Sequence, residues 1–295
     1  MDIGVTVFQT DLSWHPGELA PELERRGVRS LWIPEHTHIP VSRTTPPPTG
    51  EDELDEMYKR TLDPFVALAY AAATTERLRV GTGILLPAQR DAIITAKEAA
   101  TLDHLSGGRL DLGSGFGWNE DELADHGVAM GQRRAVVEER MKVMQALWAE
   151  EVATFTGEHV SLSPSWAWPK PVQRVTRPAP GGDGAQVEVP GVPVLLGGMA
   201  SPLVFGHIQR YGDGWIPIGG AGLTEAVPRF RAEAEAAGRD PSSLRVMTFG
   251  TLPTPEKLAH YASIGVDECV LRLPSAGRDE ILRTLDSYAP YLPSV

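Results

Sequence analysis

The sequence predicts a (β/α)8 TIM barrel, a fold of the α/β class. Short apolar runs alternate with amphipathic segments along the chain, and eight strand–helix units of this kind fit within the 295 residues. The apolar runs lack the apolar–polar alternation of strands with one solvated face, so we expect strands buried on both faces. Eight such units favour a closed barrel over an open sheet. We therefore expect one barrel domain over residues 1–295.

The predicted elements follow one another without internal repeats other than the strand–helix unit. The strands are Ile3–Phe8, Ser30–Ile33, Leu78–Ile84, Leu110–Leu112, Pro193–Leu196, Trp215–Ile218, Arg245–Thr248 and Glu268–Leu271. The helices are Pro16–Arg26, Asp63–Thr74, Asp91–Leu105, Gln132–Trp148, Pro202–Tyr211, Leu223–Ala237, Pro255–Ile264 and Arg278–Tyr288. Capping residues followed by proline, as at Asp63 and Ser201, mark helix starts.

Two insertions interrupt the alternation. The first, about residues 36–60, follows the second strand and contains three consecutive prolines. The second, about residues 150–192, precedes the fifth strand, and its first part predicts a small hairpin at Ala153–Leu162. Its later part, Arg177–Gly191, is rich in proline and glycine, and we expect it to be mobile.

The composition excludes several classes of partner. A net charge of -12 argues against binding to nucleic acid or to an anionic membrane surface. Cys269 is the one cysteine, so no internal disulfide forms and a reducing compartment is permitted. The amino terminus lacks the pattern of a signal peptide, and no apolar run reaches the roughly 18 residues of a membrane helix. We expect a cytoplasmic protein that acts on a small molecule.

The segment Arg109–Glu120 is the most informative part of the chain. It combines a short apolar strand, a loop with glycines at alternate positions, and an acidic helix start. The loop has the spacing G-x-G-x-G, which differs from the G-x-G-x-x-G of a dinucleotide-binding turn. Glycines at Gly113, Gly115 and Gly117 allow a flat ring or a phosphate to approach the backbone.

Catalytic residues of a TIM barrel lie at the carboxyl ends of its strands, so we examined those positions. Glu35 and His36 end the second strand, and a histidine beside a carboxylate can move a proton near neutral pH. The pair His36 and His38 also has the spacing of a metal site. The other histidines fall on helices or distal loops, so we predict no metal.

Two further strand ends are candidates for binding. Gly81–Pro87 ends the third strand with two glycines and branched apolar residues, which indicates either a bulge facing the barrel mouth or a tight barrel corner. Gly197–Ser201 leads from the fifth strand into a helix. Its bare backbone amides and helix start suit an anion, although ordinary strand–helix connections also use glycine and serine.

These segments resemble the bacterial luciferase-like superfamily, specifically its branch of oxidoreductases that depend on the deazaflavin coenzyme F420. The resemblance covers nearly the whole chain and is most specific from Leu78 to Trp148. Its other matching pieces are Pro169–Gln173, Pro193–Gly198 and Gly212–Trp215.

The resemblance implies roles for individual positions. Gly83-Ile84 matches a bulge with a non-prolyl cis peptide behind the coenzyme ring, and Asn119 matches a residue near the ring or its side chain. Glu35 and His36 match an acid–histidine pair beside the ring, which makes them the expected catalytic residues. The expected coenzyme-binding residues are Gly83, Ile84, Leu86, Gly115, Phe116, Asn119, Gly197, Gly198, Met199 and Ser201.

Two positions depart from the sugar-oxidising relatives. Those relatives have glutamate at Phe116 and tryptophan at Pro40, so a proton donor is missing and the substrate side of the pocket is expected to be apolar. The loops after strands seven and eight lack a clear cluster of Lys or Arg for a sugar phosphate. Candidate cations for the anionic coenzyme tail are Arg43, Lys59, Arg60 and Arg90.

The function expected from the resemblance is hydride transfer between coenzyme F420 and an unidentified small organic substrate. One alternative is a monooxygenase that depends on FMN and uses the same barrel. A second alternative is a non-catalytic protein that binds a deazaflavin or flavin. The habit of the branch predicts a homodimer.

Overall fold

Eight parallel strands form a closed barrel in the computed structural model, which describes residues 1–46, 53–178 and 186–293. The strands are β1 (Asp2–Thr6), β2 (Ser30–Ile33), β3 (Arg79–Leu85), β4 (Leu110–Ser114), β5 (Ala153–Thr156), β6 (Ser161–Ser165), β7 (Arg174–Pro178), β8 (Gln186–Pro190), β9 (Val194–Gly198), β10 (Gly214–Pro217), β11 (Arg245–Thr251) and β12 (Glu268–Arg272). The order around the barrel is β1-β12-β11-β10-β9-β4-β3-β2, and every neighbouring pair is parallel. The predicted (β/α)8 fold is confirmed.

Helices surround the barrel. They are α1 (Pro16–Arg25), α2 (Pro64–Ala73), α3 (Ala92–Ser106), α4 (Glu120–Asp125), α5 (Arg133–Ala149), α6 (Pro202–Tyr211), α7 (Leu223–Ala236), α8 (Pro255–Ser263) and α9 (Arg278–Tyr288). Helix α3 shows why the ends fall where they do, because the Asp91 carboxylate accepts from two backbone amides of the first turn. The helix stops at Gly107, whose φ of 70° is the left-handed conformation that glycine tolerates. No helix in the described ranges is long and apolar enough to cross a membrane.

The two insertions are where the sequence predicted them. The first contains a short 3-10 helix, Glu56–Arg60, and residues 47–52 of it lie outside the described part. The second contains the predicted hairpin, formed by β5 and β6. It also contains a second hairpin, which the sequence analysis did not predict. In this hairpin, β7 pairs with β8 in antiparallel register. The segment Arg177–Gly191 thus contains paired strand residues, and its expected mobility stays a prediction; residues 179–185 of it lie outside the described part.

The core has two layers. A large apolar cluster lies between the strands and the helices, and a smaller one fills the barrel interior: Trp32, Leu195, Ile216, Met247 and Val270. The Trp32 indole is fully buried, and a Cβ atom at Gly81 would overlap it. This glycine therefore makes the space that the indole occupies.

A charged network closes the amino-terminal end of the barrel. The fully buried Asp111 accepts from Arg79 at 2.7 and 2.8 Å and from Arg245 at 2.9 Å. Arg245 also lies 3.3 Å from Glu268, whose carboxylate accepts from the Ser30 hydroxyl. Each buried charge thus has an opposite charge in contact, as burial requires.

Candidate functional site

The predicted site residues come from four strands that are neighbours in the barrel. These strands, β9, β4, β3 and β2, are consecutive in the sheet order, and the residues lie at or just beyond their carboxyl ends. The barrel closure therefore brings Gly197, Gly115, Ile84 and His36 to one side of the mouth, as a TIM-barrel site requires.

The third strand presents an apolar shelf at this mouth. Its register against β4 shifts between Thr82 and Leu85, so the bulge is confirmed, and the Gly83–Ile84 peptide is cis. Both residues are half-buried. A Cβ atom at Gly115 would overlap the Ile84 side chain, and one at Gly197 would lie 3.5 Å from its Cδ1 atom. The glycines of β4 and β9 thus leave space for Ile84, which forms the shelf surface.

Glu35 holds the backbone behind this shelf. Its Oε2 atom accepts from the Leu86 amide at 2.7 Å, and its Oε1 atom lies 2.5 Å from the Arg90 Nε. Arg90 also pairs with Asp63 and with Glu98. Burial raises the pKa of Glu35, while the Arg90 charge and the Leu86 amide act in the opposite direction. The carboxylate is thereby committed to the bulge and to α2 and α3 rather than to His36.

His36 instead pairs with Glu122, a residue that our sequence analysis did not single out. The His36 Nδ1 lies 2.9 Å from Glu122 Oε2 and 3.2 Å from Oε1. Both side chains are buried, and the Nε2 atom has no hydrogen bond with any residue of the described ranges. A carboxylate that holds one imidazole nitrogen leaves the other available for proton transfer. The signal in the sequence was the acidic helix start beyond the glycine loop.

Two buried amide side chains, which follow strands β3 and β4 in the chain, lack partners among the described residues. Asn119 is 1% exposed, and neither its Nδ2 nor its Oδ1 atom has a hydrogen bond within the described part of the chain. Gln89, which follows the bulge, has the same deficit at both of its amide atoms. Unpaired buried polar groups are costly, so this arrangement suits a ligand that supplies polar atoms.

The end of β9 combines a helix start with an exposed apolar side chain. Ser201 caps α6, since its hydroxyl accepts from the Val204 amide at 3.3 Å. Gly197 and Gly198 are buried in the strand, whereas Met199 is 70% exposed. Ile218, just beyond β10, is 71% exposed. This part of the rim offers backbone amides at a helix start together with apolar surface.

The Phe116 ring packs against side chains of the helical layer. Its ring centroid lies 5.2 Å from that of His207, and the Arg134 guanidinium lies 5.7 Å above the ring. The ring also packs against a small apolar cluster formed by the loop after β3, α4 and α5. The structure thus places Phe116 where it supports the glycine-rich loop from the helix side.

Aromatic rings at the mouth come from other elements. The Phe8 and Tyr58 centroids lie 4.8 Å apart, Tyr58 lies 5.3 Å from His36, and Trp118 lies 5.9 Å from His36. We call Phe8, Tyr58 and Trp118 the aromatic wall; all three are half-buried. Burial raises the pKa of Tyr58, Asp55 adds to this, and the Arg272 charge opposes it. The sequence patterns singled out neither Tyr58 nor Arg272.

Most of the candidate cations for an anionic tail are already engaged. Arg90 pairs with three carboxylates, Arg60 with Asp11 and Glu56, and Lys59 with Glu56.

The two histidines of the H-x-H pair contact different carboxylates: His36 contacts Glu122, and His38 lies 2.9 Å from Asp125. The described residues contain no group of three or more His, Cys, Asp or Glu placed to hold a metal ion.

Comparison with known sequences reveals close relatives. The family model described as luciferase-like monooxygenase matches residues 15–260. An uncharacterised protein of Mycobacterium tuberculosis strain H37Rv is 41% identical over 295 residues, which is 99% of each chain. The F420-dependent glucose-6-phosphate dehydrogenase of Kineococcus radiotolerans is 30% identical over 235 residues, which is 76% of this chain and 60% of the relative.

Solved structures share the fold at lower identity. The monooxygenase RslO1 from Streptomyces bottropensis has a TM-score of 0.73 at 20% identity and covers 99% of this chain and 98% of its own. An F420-dependent secondary alcohol dehydrogenase in complex with an F420–acetone adduct has a TM-score of 0.71 at 18% identity, with full coverage of both chains. At these identities the likeness establishes the fold alone.

Proposed function

Because the chain belongs to the luciferase-like monooxygenase family, we propose that it is an oxidoreductase that transfers a hydride between coenzyme F420 and a small organic substrate. The dehydrogenase at 30% identity supports F420 as the coenzyme. The observation that carries the proposal is the Ile84 shelf at the barrel mouth, and the buried Asn119 amide after the neighbouring strand β4, which has no partner among the described residues, adds to it. When bound, F420 supplies a ring carbon that gives or takes the hydride.

The residues present fit such a coenzyme. The half-buried Gly83 and Ile84 offer a flat apolar surface to a ring, and Asn119 offers a donor and an acceptor to its polar edge. The start of α6 offers backbone amides to a phosphate. The residues proposed to hold the coenzyme are Gly83, Ile84, Leu86, Gly115, Asn119, Gly197, Gly198, Met199 and Ser201. Phe116 supports their loop from behind.

His36 is the proposed acid–base residue. Its free Nε2 atom gives or takes the proton that accompanies the hydride, while Glu122 orients the ring through Nδ1. Glu35 acts as a positioning residue in this proposal, because its carboxylate is bonded to Leu86 and Arg90. Glu122, rather than Glu35, is therefore the proposed carboxylate partner of His36.

Equilibrium titration of the full chain with F420 and with FMN tests the coenzyme. We expect saturable F420 binding that is about tenfold or more tighter than FMN binding. A screen of alcohols, aldehydes and conjugated carbonyl compounds, followed by the absorbance of the coenzyme, then tests turnover. Tight FMN binding without F420 binding would overturn the proposal. F420 binding with no turnover of any compound would favour a non-catalytic binding protein.

A flavin-dependent monooxygenase is the second candidate. The family model favours it, since the family that matches residues 15–260 is described as luciferase-like monooxygenase. This alternative predicts tight FMN binding and oxygen consumption when a separate reductase supplies reduced FMN. Oxygen consumption without added F420 would establish it in place of the F420 enzyme.

We also propose a homodimer. Helices α2 and α3 pack together and expose large apolar side chains, including Val66 at 62%, Tyr70 at 56% and Ile94 at 60%. Exposed apolar surface of this kind is typical of a protein interface. Light scattering after size-exclusion chromatography should give twice the mass of the chain, and the mass of one chain would contradict the proposal.

A cytoplasmic location stays a prediction that cell fractionation would test.

A further inference from the structure

Arg272, at the barrel mouth, has no ion-pair partner among the described residues. Along β12, Glu268 contacts Arg245 and Ser30 at the amino-terminal end of the barrel, and Val270 belongs to the interior cluster. Cys269 belongs to the outer cluster between strands and helices. Because side chains alternate along a strand, Arg272 lies on the interior face, at the carboxyl end.

Arg272 is available to a ligand. It is exposed, and its guanidinium forms no hydrogen bond or ion pair with a residue in the described ranges. Its backbone is held in place, because the Tyr288 hydroxyl donates to the Arg272 carbonyl at 2.6 Å. The cation therefore stands on a fixed strand end while its side chain remains free. Arg60 and Arg90, by contrast, are engaged by carboxylates.

The aromatic wall lies beside this cation. Arg272 of β12 pairs in register with Thr6 of the neighbouring strand β1. Phe8 lies two residues after Thr6, just beyond the end of β1. Phe8 contacts Tyr58, whose pKa is affected by the Arg272 charge. Half-buried aromatic rings provide flat apolar surface, and a guanidinium binds a carboxylate through two parallel hydrogen bonds. Together they form a surface for a flat molecule with an anionic end.

The proposed coenzyme residues lie elsewhere around the mouth. In the closed strand order, β12 lies four strands from β4 in either direction and three strands from β9. The helix start proposed for the coenzyme phosphate follows β9. Arg272 and Phe8 are next to each other on the other side, and His36 of the following strand lies beside Tyr58.

We propose that the substrate is a flat, largely apolar carboxylate, such as an aromatic or conjugated acid, with its carboxylate on Arg272 and its body against Phe8 and Tyr58. This assignment rests on the proposed function, because it places the substrate opposite the coenzyme shelf and within reach of His36. The substrate class also matches the composition of the mouth. Among the described interior residues at the strand ends, most are apolar or glycine, and Arg272 is the one Lys or Arg.

Isothermal titration calorimetry with trans-cinnamate and its neutral amide tests the assignment on the full chain, with and without F420. We expect the acid to bind about 10- to 100-fold tighter than the amide, because the carboxylate pairs with the guanidinium. Arg272→Gln should abolish this preference. Arg283→Gln, which removes an exposed cation on α9, should retain it. Arg272→Lys should retain part of it, because a point charge cannot form the bidentate pair.

The titrations also separate this proposal from the coenzyme assignment. Equal binding of acid and amide, or binding of neither, to the unmodified chain would overturn it without reference to any variant. A loss of F420 affinity in Arg272→Gln with the acid preference intact would also overturn it, because the cation would then serve the coenzyme tail. Preferential binding of the acid in a chain that fails to bind F420 would support the carboxylate site and contradict the proposed coenzyme.

Discussion

The two ends of the barrel treat buried polar groups in opposite ways. At the amino-terminal end, Asp111 is shared by two guanidinium groups, and Glu268 has both a cation and a hydroxyl as partners. At the carboxyl end, the buried Asn119 has no hydrogen-bond partner in the described residues, while Met199 and Ile218 expose most of their apolar surface. The buried carboxylates of the amino-terminal end thus have partners within the protein, whereas the Asn119 amide has none among the described residues.

This difference separates stability from function. A closed network of paired charges contributes to folding only, because it offers nothing to a ligand. Unpaired amides and exposed apolar groups cost free energy in the empty protein, and a ligand that covers them recovers that cost. The same contrast distinguishes two buried carboxylates, since Glu35 is paired with Arg90 and Glu122 with His36, whose second nitrogen has no hydrogen bond to a described residue.

The largest expected effect is at the carboxyl end. His36→Asn should slow turnover by about 10²–10⁴-fold, because proton transfer loses its acid–base group. The free energy of unfolding should change by about 1 kcal/mol or less, since the new amide can still donate to Glu122. Coenzyme turnover and urea denaturation measure the two effects. His38→Asn is the matched control, because His38 contacts Asp125 instead; an equal loss of turnover in both variants would contradict the assignment.

At the amino-terminal end the expectation is reversed. Asp111→Asn should lower the free energy of unfolding by about 3–5 kcal/mol, because Arg79 and Arg245 lose their shared counter-charge. F420 affinity of the remaining folded protein should not change. Asp2→Asn, an exposed substitution at the same end, should cost about 0.5 kcal/mol or less. If Asp111→Asn weakens coenzyme binding more than folding, the separation of the two ends fails.

The same carboxyl predicts a pH dependence. Burial raises the pKa of Asp111, but Arg245 and Arg79 outweigh burial and hold it below the usual 3.8. A group with a lowered folded-state pKa stabilises the fold above its unfolded pKa and loses that contribution as the pH falls. The stability difference between wild type and Asp111→Asn should therefore be constant near neutral pH and shrink below about pH 4. Denaturation curves across this range should converge; parallel curves would contradict the argument.

The smallest expected effect concerns the shelf. Gly115→Ala introduces a Cβ atom that overlaps Ile84, so the shelf must shift. We expect F420 affinity to fall about tenfold and stability to fall by about 1 kcal/mol. Gly131→Ala is the control, because nothing lies within 4 Å of a Cβ atom there. Unchanged F420 affinity in Gly115→Ala would show that the coenzyme does not rest on Ile84.

Several features of the fold and of the candidate site can be predicted from the sequence. All eight barrel strands and their helices were predicted, because strand and helix periods are local properties. The glycines of the third strand left a bulge and a tight corner open, and it was the family resemblance that implied the bulge at Gly83-Ile84. The hairpin of β7 and β8 was missed, since proline and glycine composition indicates a loop and carries no information on pairing. The partner of His36 was also missed, because Glu122 lies 86 positions away.

Local sequence was sufficient for the barrel and for the apolar third strand, because each depends on residue type and spacing within one segment. Closure of the barrel was needed to decide which charges neutralise one another. It pairs Glu35 with Arg90 and His36 with Glu122, packs Phe116 against the helical layer and leaves Arg272 at the mouth without an ion-pair partner among the described residues. These outcomes depend on distances between segments far apart in the chain, which only the packed structure contains.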